Sequence, residues 1–168
     1  MSEPYNVLFL CTHNAGRSIM AECILDRVGA GRFVGHSAGS QPSGRINPDV
    51  RGLLESLNHP TADLRSKGWE AFAGPEAPAL DFVITLCDQA AGESCPIWPG
   101  RPVTAHWPFP DPARAEGTDA ERRAFVAEIY RGLRNRIEIF VELPLEALDR
   151  LTLARRIEAI GQMSQALA

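Results

Sequence analysis

A cysteine and an arginine with chemically useful spacing lie near the start of the chain, where five residues separate Cys11 from Arg17 and Ser18 follows. An apolar run precedes this polar segment, and apolar residues recur at helical spacing after it. A loop between a strand and a helix can direct its N–H groups inward and bind a tetrahedral oxyanion near the positive helix N-terminus. The same setting favours a nucleophilic thiolate at Cys11, and the planar guanidinium of Arg17 can bind two oxyanion oxygens. The spacing therefore predicts a cysteine-nucleophile enzyme whose oxyanion loop consists of Thr12, His13, Asn14, Ala15, Gly16, Arg17 and Ser18.

Three residues of this loop have predicted supporting roles. Ser18 can donate a hydrogen bond to the thiolate, and Asn14 can hold the loop backbone through its side-chain amide. Gly16 is expected to adopt a φ that other residues resist. The alternative is that Cys11 is a buried, inert cysteine at the end of a strand.

The elements that must position this loop alternate between strands and helices. Apolar runs predict strands at 5–10, 33–36, 81–86 and 103–107, with a loop at 37–40. Helical spacing and capping residues predict helices at 17–28, 47–57, 67–72 and 118–141, and a last amphipathic segment at 145–167. This alternation indicates an α/β domain with a parallel sheet, in which ligands bind at the carboxyl ends of the strands. Cys11 and Cys87 each follow a predicted strand, so we expect both at that edge.

Composition limits the remaining possibilities. The 168 residues fit one domain, taken as 1–143 with 144–168 as a C-terminal helical extension of the same domain. That extension packs either on its own domain or on another subunit, and the oligomeric state stays open. The net charge of −4 argues against nucleic-acid binding, and no apolar run is long enough to span a membrane. We therefore expect a cytoplasmic protein, in which four cysteines are seldom structural disulfides.

The string VLFLCTHNAGRSIMAE at 7–22 resembles the low-molecular-weight tyrosine phosphatase superfamily and, within it, the thioredoxin-coupled arsenate reductases. Ser37-Ala38-Gly39 and Thr85-Leu86-Cys87 are further matching landmarks. The resemblance implies a three-layer α/β fold with a four-stranded parallel sheet flanked by helices. His13 departs from it, because glycine is frequent at this place; its ring either affects the anion site and Cys11 or faces solvent.

Two further cysteines favour reduction over hydrolysis. A phosphatase needs one cysteine, whereas reduction of arsenate takes two electrons, which thiols supply as a disulfide forms. Cys11 and Cys87 can approach if their strands are neighbours, and the segment between Cys87 and Cys95 contains glycine and alanine. The resemblance implies that Cys11 attacks arsenate, Cys87 attacks Cys11 and releases arsenite, and Cys95 then attacks Cys87. A thioredoxin-like protein would reduce the resulting Cys87–Cys95 disulfide, with no bound cofactor. The alternative is that Cys87 and Cys95 are ordinary residues.

Asp111 follows the last predicted strand in the sequence WPFPDPA. The resemblance implies that it is the general acid, while the alternative is a turn-forming Asp-Pro. Tyrosine phosphatases of this group usually have an aromatic residue after Asp-Pro, and here Ala113 stands there, which favours a small inorganic oxyanion. Trp107 and Phe109 could still form an aromatic wall for a larger substrate.

Some related reductases bind potassium near the loop, and Asn14, Glu22 and Ser37 match polar positions of that site. Lys67 stands where a carboxylate would be expected, so we predict that its ammonium replaces the ion and that no metal is required. Cys23 lies on an apolar helix face and is predicted to belong to the core.

The sequence thus predicts an enzyme that reduces arsenate for arsenic detoxification, using Cys11, Arg17, Cys87, Cys95 and Asp111, in a loop that also accepts phosphate or sulfate. The first alternative is a tyrosine phosphatase or small phosphate-ester hydrolase that uses Cys11, Arg17 and Asp111. The second is a non-enzymatic module that binds an oxyanion or senses thiol oxidation. Turnover that survives loss of Cys87 and Cys95 would favour the first alternative, and ligand binding without turnover the second.

Overall fold

A computed structural model describes residues 3–86, 98 and 101–163. Four strands form one parallel sheet in the order β2-β1-β3-β4, and they are β1 Tyr5–Cys11, β2 Phe33–Gly39, β3 Phe82–Thr85 and β4 Val103–His106. The α-helices of the described residues are α1 Arg17–Val28, α2 Pro48–Ser56, α3 Asp119–Val141 and α4 Arg150–Gly161. Short 3₁₀ helices span Trp69–Phe72 and Pro112–Arg114. The predicted α/β fold class is confirmed.

The central strand β1 forms because residues 7–11 are a continuous apolar run that is buried on both faces of the sheet. Its last residues pair with both neighbours, Cys11 with Gly39 and Leu10 with Thr85. The carboxyl ends of three parallel strands therefore meet at one edge, at the place where Cys11 ends β1.

Local capping explains where the helices begin. Asn47 accepts hydrogen bonds from the first N–H groups of α2, and Thr118 and Glu121 form a reciprocal capping box at α3. Asp149 caps α4 in the same way, 2.7 Å from the N–H of Thr152. The last amphipathic segment is therefore shorter than the predicted 145–167, since its helix begins only after this cap.

The sheet carries a hydrophobic cluster on each face. All four α-helices contribute to the larger cluster, whereas Trp69, Phe72 and Trp98 cover Leu8, Leu10 and Val83 on the other face. Cys23 lies in the larger cluster as predicted, and burial raises the pKa of its thiol to about 12, which makes it unreactive.

Two predicted elements differ from the observed ones. Residues 37–39 belong to β2 and not to a loop, because they pair in register with 9–11 of β1 and the buried Ser37 hydroxyl donates to Glu22. The predicted helix at 67–72 is a 3₁₀ turn, in which Trp69 and Phe72, three residues apart, both face the core.

The C-terminal helix α4 packs on the chain's own sheet beside β4 and α3. The Trp107 indole N–H donates to the Ile157 carbonyl (2.8 Å), and Glu158 accepts from the backbone N–H of His106 (3.0 Å). The outer edge of β4 is thereby covered. Within 3–86, 98 and 101–163, no helix combines the length and the apolar character that crossing a bilayer requires.

Candidate active site

The loop between β1 and α1 has its carbonyl groups tied to the segment that follows β2. Four of these carbonyls accept backbone hydrogen bonds from that segment: Cys11 from Ser40 (3.3 Å), Thr12 from Gln41 (2.8 Å), His13 from Ser43 (3.0 Å) and Ala15 from Asn47 (2.9 Å). A trans peptide directs the next N–H opposite to its carbonyl, and no peptide bond of the described residues is cis. The N–H groups of residues 12, 13, 14 and 16 therefore point away from this segment, which is the arrangement that an oxyanion-binding loop needs.

The Cys11 thiol ends a chain of side-chain hydrogen bonds. Its Sγ is buried and lies 3.0 Å from the hydroxyl of Ser18. Asn14 Nδ2 donates to the same hydroxyl (2.7 Å), while Asn14 Oδ1 accepts from the backbone N–H of Lys67 (2.8 Å), which fixes the amide orientation. Asn14 thus occupies one acceptor position of the Ser18 oxygen, and an ionised Cys11 sulfur can only accept, so Ser18 donates to it in that state. A hydroxyl donor at this distance is the kind of partner that a nucleophilic sulfur needs.

The predicted reason for Gly16 is wrong. Its φ is −144°, and the left-handed residue of the loop is Asn14, with φ of 46°. Gly16 is instead required by space, because a Cβ there would lie 2.8 Å from Cγ of Pro112. The loop therefore packs directly against the residue after Asp111.

Arg17, the first residue of α1, has one anchored and one open side. Its Nη1 donates to the carbonyl of Phe109 (3.0 Å), and its Nη2 lies 3.9 Å from Asp111. Its Nε is buried and has no hydrogen-bond partner among the residues that the structure describes, and no acidic residue stands in the first turn of α1. The Nε–Nη2 edge is the one through which a guanidinium binds an oxyanion bidentately. A bound oxyanion would satisfy Nε.

Asp111 completes a small cavity of about 40 Å³, which Cys11, His13, Ala15, Gly16, Arg17, Asn47, Asp111, Pro112 and Ala113 line. One carboxylate oxygen accepts from the N–H of Ala113 (2.9 Å), and a quarter of the side chain is exposed. A cavity of this size fits a small oxyanion and has no enclosed room for an aromatic ring.

A charged cluster lies behind the loop. The Lys67 ammonium is 3.4 Å from the Ser37 hydroxyl and 3.9 Å from Glu22, and it donates to the Arg65 carbonyl (3.0 Å). Burial raises the pKa of Glu22 and lowers that of Lys67. The ammonium thus lies beside Ser37 and Glu22, whereas Asn14, the third predicted polar residue, bonds to the backbone N–H of Lys67. Within the described part of the chain, no group of three His, Cys, Asp or Glu side chains is arranged to hold a metal ion.

The sequence profile of the low molecular weight phosphotyrosine protein phosphatase family matches residues 6–150. The chain belongs to this family. The resemblance predicted from residues 7–22 is confirmed, and so is the four-stranded parallel sheet.

Relatives within this phosphatase family include arsenate reductases. The arsenate reductase of Bacillus subtilis (strain 168) is 32% identical over 136 residues, which cover 81% of this chain and 94% of that protein. Arsenate reductase from Archaeoglobus fulgidus DSM 4304 has a similar crystal structure, with a TM-score of 0.61, 26% identity and coverage of 82% of this chain and 99% of that one. The thioredoxin-dependent arsenate reductase of Corynebacterium glutamicum gives a TM-score of 0.54 at 27% identity, over 82% of this chain and 64% of that one.

The structure brings Cys11, Arg17 and Asp111 of this phosphatase-family chain together around one cavity. Cys87 and Cys95 lie outside the described residues. An approach of Cys11 and Cys87 requires that the strands before them are neighbours. Strands β1 and β3 are neighbours, and the N–H of Leu86 donates to the Leu10 carbonyl (2.7 Å).

Of three further residues considered in the sequence analysis, His13 lies at the surface and Trp107 and Phe109 lie in the core. The His13 ring is exposed, with Nδ1 3.2 Å from the Gln41 carbonyl, and so lies at the rim of the cavity. Trp107 and Phe109 form no aromatic wall, because both rings are buried in the core. The strand–loop junction turns these apolar side chains inward, and only the Phe109 carbonyl reaches the site, at Arg17.

Sequence reasoning missed functional contacts that backbone atoms make. A Cβ at Gly39 would lie 2.5 Å from the Thr12 carbonyl oxygen, so the loop can pack there only on glycine. Asn47, predicted only as a helix cap, also lines the cavity and holds the Ala15 carbonyl. The Ser37-Ala38-Gly39 landmark could have indicated the first contact, whereas nothing in the sequence indicates that the Phe109 carbonyl binds Arg17.

Proposed function

We propose that this protein reduces arsenate to arsenite for arsenic detoxification, with Cys11 as the nucleophile. The observation that carries the proposal is the preformed loop, in which Cys11 has a hydroxyl donor at 3.0 Å and Arg17 has a buried, unpartnered Nε. Similarity to arsenate reductases supports this choice of oxyanion.

In the first step, the Cys11 thiolate attacks arsenic and an As–O bond breaks. The loop N–H groups and the Nε–Nη2 edge of Arg17 bind the remaining oxygens. Asp111, which lines the same cavity, gives a proton to the leaving oxygen, and this oxygen departs as water. The product is a Cys11 thiol–arsenate adduct with an S–As bond.

In the second step, the thiolate of Cys87 attacks Sγ of Cys11. The S–As bond breaks and its electron pair stays on arsenic, so As(V) becomes As(III) while two sulfurs become a disulfide. Support for this step comes from the strand register, since Leu86 is bonded to the residue before Cys11 and Cys87 follows Leu86 in the sequence.

In the third step, Cys95 attacks Cys87 and frees Cys11. A thioredoxin-like dithiol then reduces the Cys87–Cys95 disulfide, as the name of the thioredoxin-dependent relative from Corynebacterium glutamicum suggests. The reductant is external, and no bound organic cofactor takes part.

We also propose that turnover needs no metal ion, because the Lys67 ammonium occupies the polar pocket formed by Ser37 and Glu22. Turnover measured at constant ionic strength should be the same in sodium and potassium salts within twofold. Strong activation by potassium would contradict this role of Lys67.

Phosphate-ester hydrolysis is the second candidate, since the family's loop and Asp111 suffice for it. The small cavity and the methyl side chain of Ala113 disfavour an aryl ester as the main substrate. Any phosphatase activity should therefore be slow, and it should survive replacement of Cys87 and Cys95.

The proposal is tested by arsenate-dependent NADPH oxidation with thioredoxin and thioredoxin reductase, comparing the wild type with Cys87→Ser and Cys95→Ser. We expect turnover by the wild type and none by either variant, and Cys23→Ser is the matched control because Cys23 is buried in the core. No NADPH oxidation with the wild type, or full turnover by both variants, would refute the proposed reaction.

A further inference from the structure

Helix α3 buries a charged side chain that the proposed chemistry does not use. Arg136 is 1% exposed, and no carboxylate pairs with it among the residues that the structure describes. Burial lowers its pKa, and its Nε has no hydrogen-bond partner within the described part of the chain. A buried cation without a counter-ion is costly to keep, so its contacts should reveal what it contributes.

These contacts converge on Phe109 and on the end of the C-terminal helix. Arg136 Nη1 donates to the Gly132 carbonyl one turn earlier (3.1 Å), and Nη2 donates to the Met163 carbonyl (2.6 Å). The guanidinium carbon lies 4.8 Å from the centroid of the Phe109 ring, which is cation–π geometry. Since Met163 follows the C-terminus of α4, the negative end of that helix faces this cation.

Both the backbone and the ring of Phe109 are fixed by neighbouring groups. Its N–H donates to the Leu86 carbonyl (3.0 Å), and its ring lies against Gly132, where a Cβ would be 2.9 Å from Cε1. A glycine inside a helix costs about 1 kcal/mol relative to alanine, so this close approach explains why one stands there. The carbonyl of Phe109 is therefore fixed, and it is the acceptor for Arg17 Nη1 (3.0 Å).

We propose that Arg136 is a positioning residue for oxyanion binding, which acts on Arg17 through Phe109. Arg136 holds the Phe109 ring, the Phe109 carbonyl holds Nη1 of Arg17, and the Nε–Nη2 edge of Arg17 is thereby aimed at the oxyanion. Helix α4 takes part because it positions Met163, which follows its C-terminus, although the helix begins at Arg150, where the match to the family ends. This inference rests on the oxyanion-binding role proposed for Arg17.

The test is the affinity for inorganic phosphate, measured by isothermal titration calorimetry on the reduced full-length protein. We expect Arg136→Met to raise the Kd of phosphate about tenfold, because Arg17 loses its alignment. Phe109→Leu should have a similar effect, and the double variant should bind no worse than Phe109→Leu alone. The rate of Cys11 alkylation without phosphate should stay unchanged in these variants, because the thiol depends on Ser18 and Asn14.

Ile137→Ala is the matched control, since Ile137 is the next residue of α3 and is fully buried. Unlike Arg136, it carries no charge that could interact with the Phe109 ring. It should lower the melting temperature and leave the Kd of phosphate within twofold. The inference is overturned if Arg136→Met or Phe109→Leu leaves the Kd within twofold, or if Ile137→Ala raises it equally. If the wild type itself binds no phosphate, the proposed site fails, which is a different outcome.

Discussion

The hydroxyl of Ser18 has a single hydrogen to donate, and its neighbours determine where that hydrogen points. The side-chain amide of Asn14 donates to the Ser18 oxygen. The backbone N–H of Lys67 donates to the amide oxygen of Asn14 and so fixes the orientation of this amide. When Cys11 is ionised, these side chains thus supply its sulfur with a fixed donor that needs no reorganisation during the reaction.

Replacing Ser18 with alanine removes this donor. A hydrogen bond to a charged group contributes about 1.5–3 kcal/mol, so alkylation of Cys11 by iodoacetamide at pH 7 should slow about 10- to 100-fold. Peptide mass spectrometry distinguishes Cys11 from the other cysteines. Ser56→Ala is the control, because the Ser56 hydroxyl is exposed and donates to the Leu53 carbonyl of its own helix. An unchanged rate in Ser18→Ala would show that Ser18 does not stabilise the thiolate.

Lys67 is the counter-charge of a carboxylate that is mostly withdrawn from water. In Lys67→Met, Glu22 loses its cation, and its pKa, already raised by burial, should rise further. The folded state then holds a proton that the unfolded state releases, so stability falls as pH rises through the range above the ordinary pKa of glutamate.

Chemical denaturation should therefore show a larger loss of stability for Lys67→Met at pH 8 than at pH 5. We expect about 1–2 kcal/mol at pH 8, less than for a fully buried pair, because both side chains keep about a fifth of their exposure. Adding Glu22→Gln should remove the pH dependence. A loss of stability that is equal at both pH values would contradict the pairing.

At the scale of elements, some bounds of helices and strands could be predicted from the sequence and others could not. The bounds of α1 and the start of β1 follow from apolar patterning, and the observed helix spans the predicted residues. The end of β2 could not be predicted, because Ser37, Ala38 and Gly39 have no apolar signal and form a strand only through pairing with β1.

The site shows the same division. Cys11, Arg17 and Asp111 could be identified because side-chain chemistry and strand ends indicate them. The Phe109 carbonyl and the contact between Gly16 and Pro112 could not, since the first involves a backbone atom that every residue has and the second depends on tertiary approach.

A hydrogen bond between a histidine after α2 and a tyrosine of α3 makes the folding stability depend on pH. His59, just after α2, is 5% exposed, and its Nε2 lies 2.7 Å from the Tyr130 hydroxyl on α3. Burial, followed by the charge of Arg27, lowers the pKa of His59 to about 4. Histidine in the unfolded chain takes up its proton near pH 6.5, so stability falls as pH drops from about 6.5 towards 4.

His59→Gln should reduce this acid-induced loss, as measured by urea denaturation between pH 7 and pH 4.5. Some loss should remain, because burial also lowers the pKa of His36. His13→Gln serves as the comparison, since the His13 ring is exposed and its replacement should change stability by no more than about 0.5 kcal/mol. An identical pH profile for His59→Gln and the wild type would contradict the burial of neutral His59.

At the scale of the whole molecule, the proposed anion site lies on a chain whose net charge is −4. Backbone N–H groups, one helix N-terminus and Arg17 form it locally, so attraction of the substrate does not depend on the overall charge. Residues of the C-terminal helix α4 make hydrogen bonds with the Trp107 indole and the His106 backbone, and Met163 after this helix accepts from Arg136.

The central claim is that one chain supplies both electrons for one arsenate from its own thiols. A single-turnover measurement tests it most directly. Fully reduced protein, freed of external reductant, is mixed with excess arsenate, and the arsenite formed per chain is quantified.

The wild type should form one arsenite per chain and lose two thiols as a disulfide. Cys95→Ser should also form one arsenite, with the disulfide between Cys11 and Cys87, whereas Cys87→Ser should form none. No arsenite from the wild type, or as much from Cys87→Ser as from the wild type, would contradict the account.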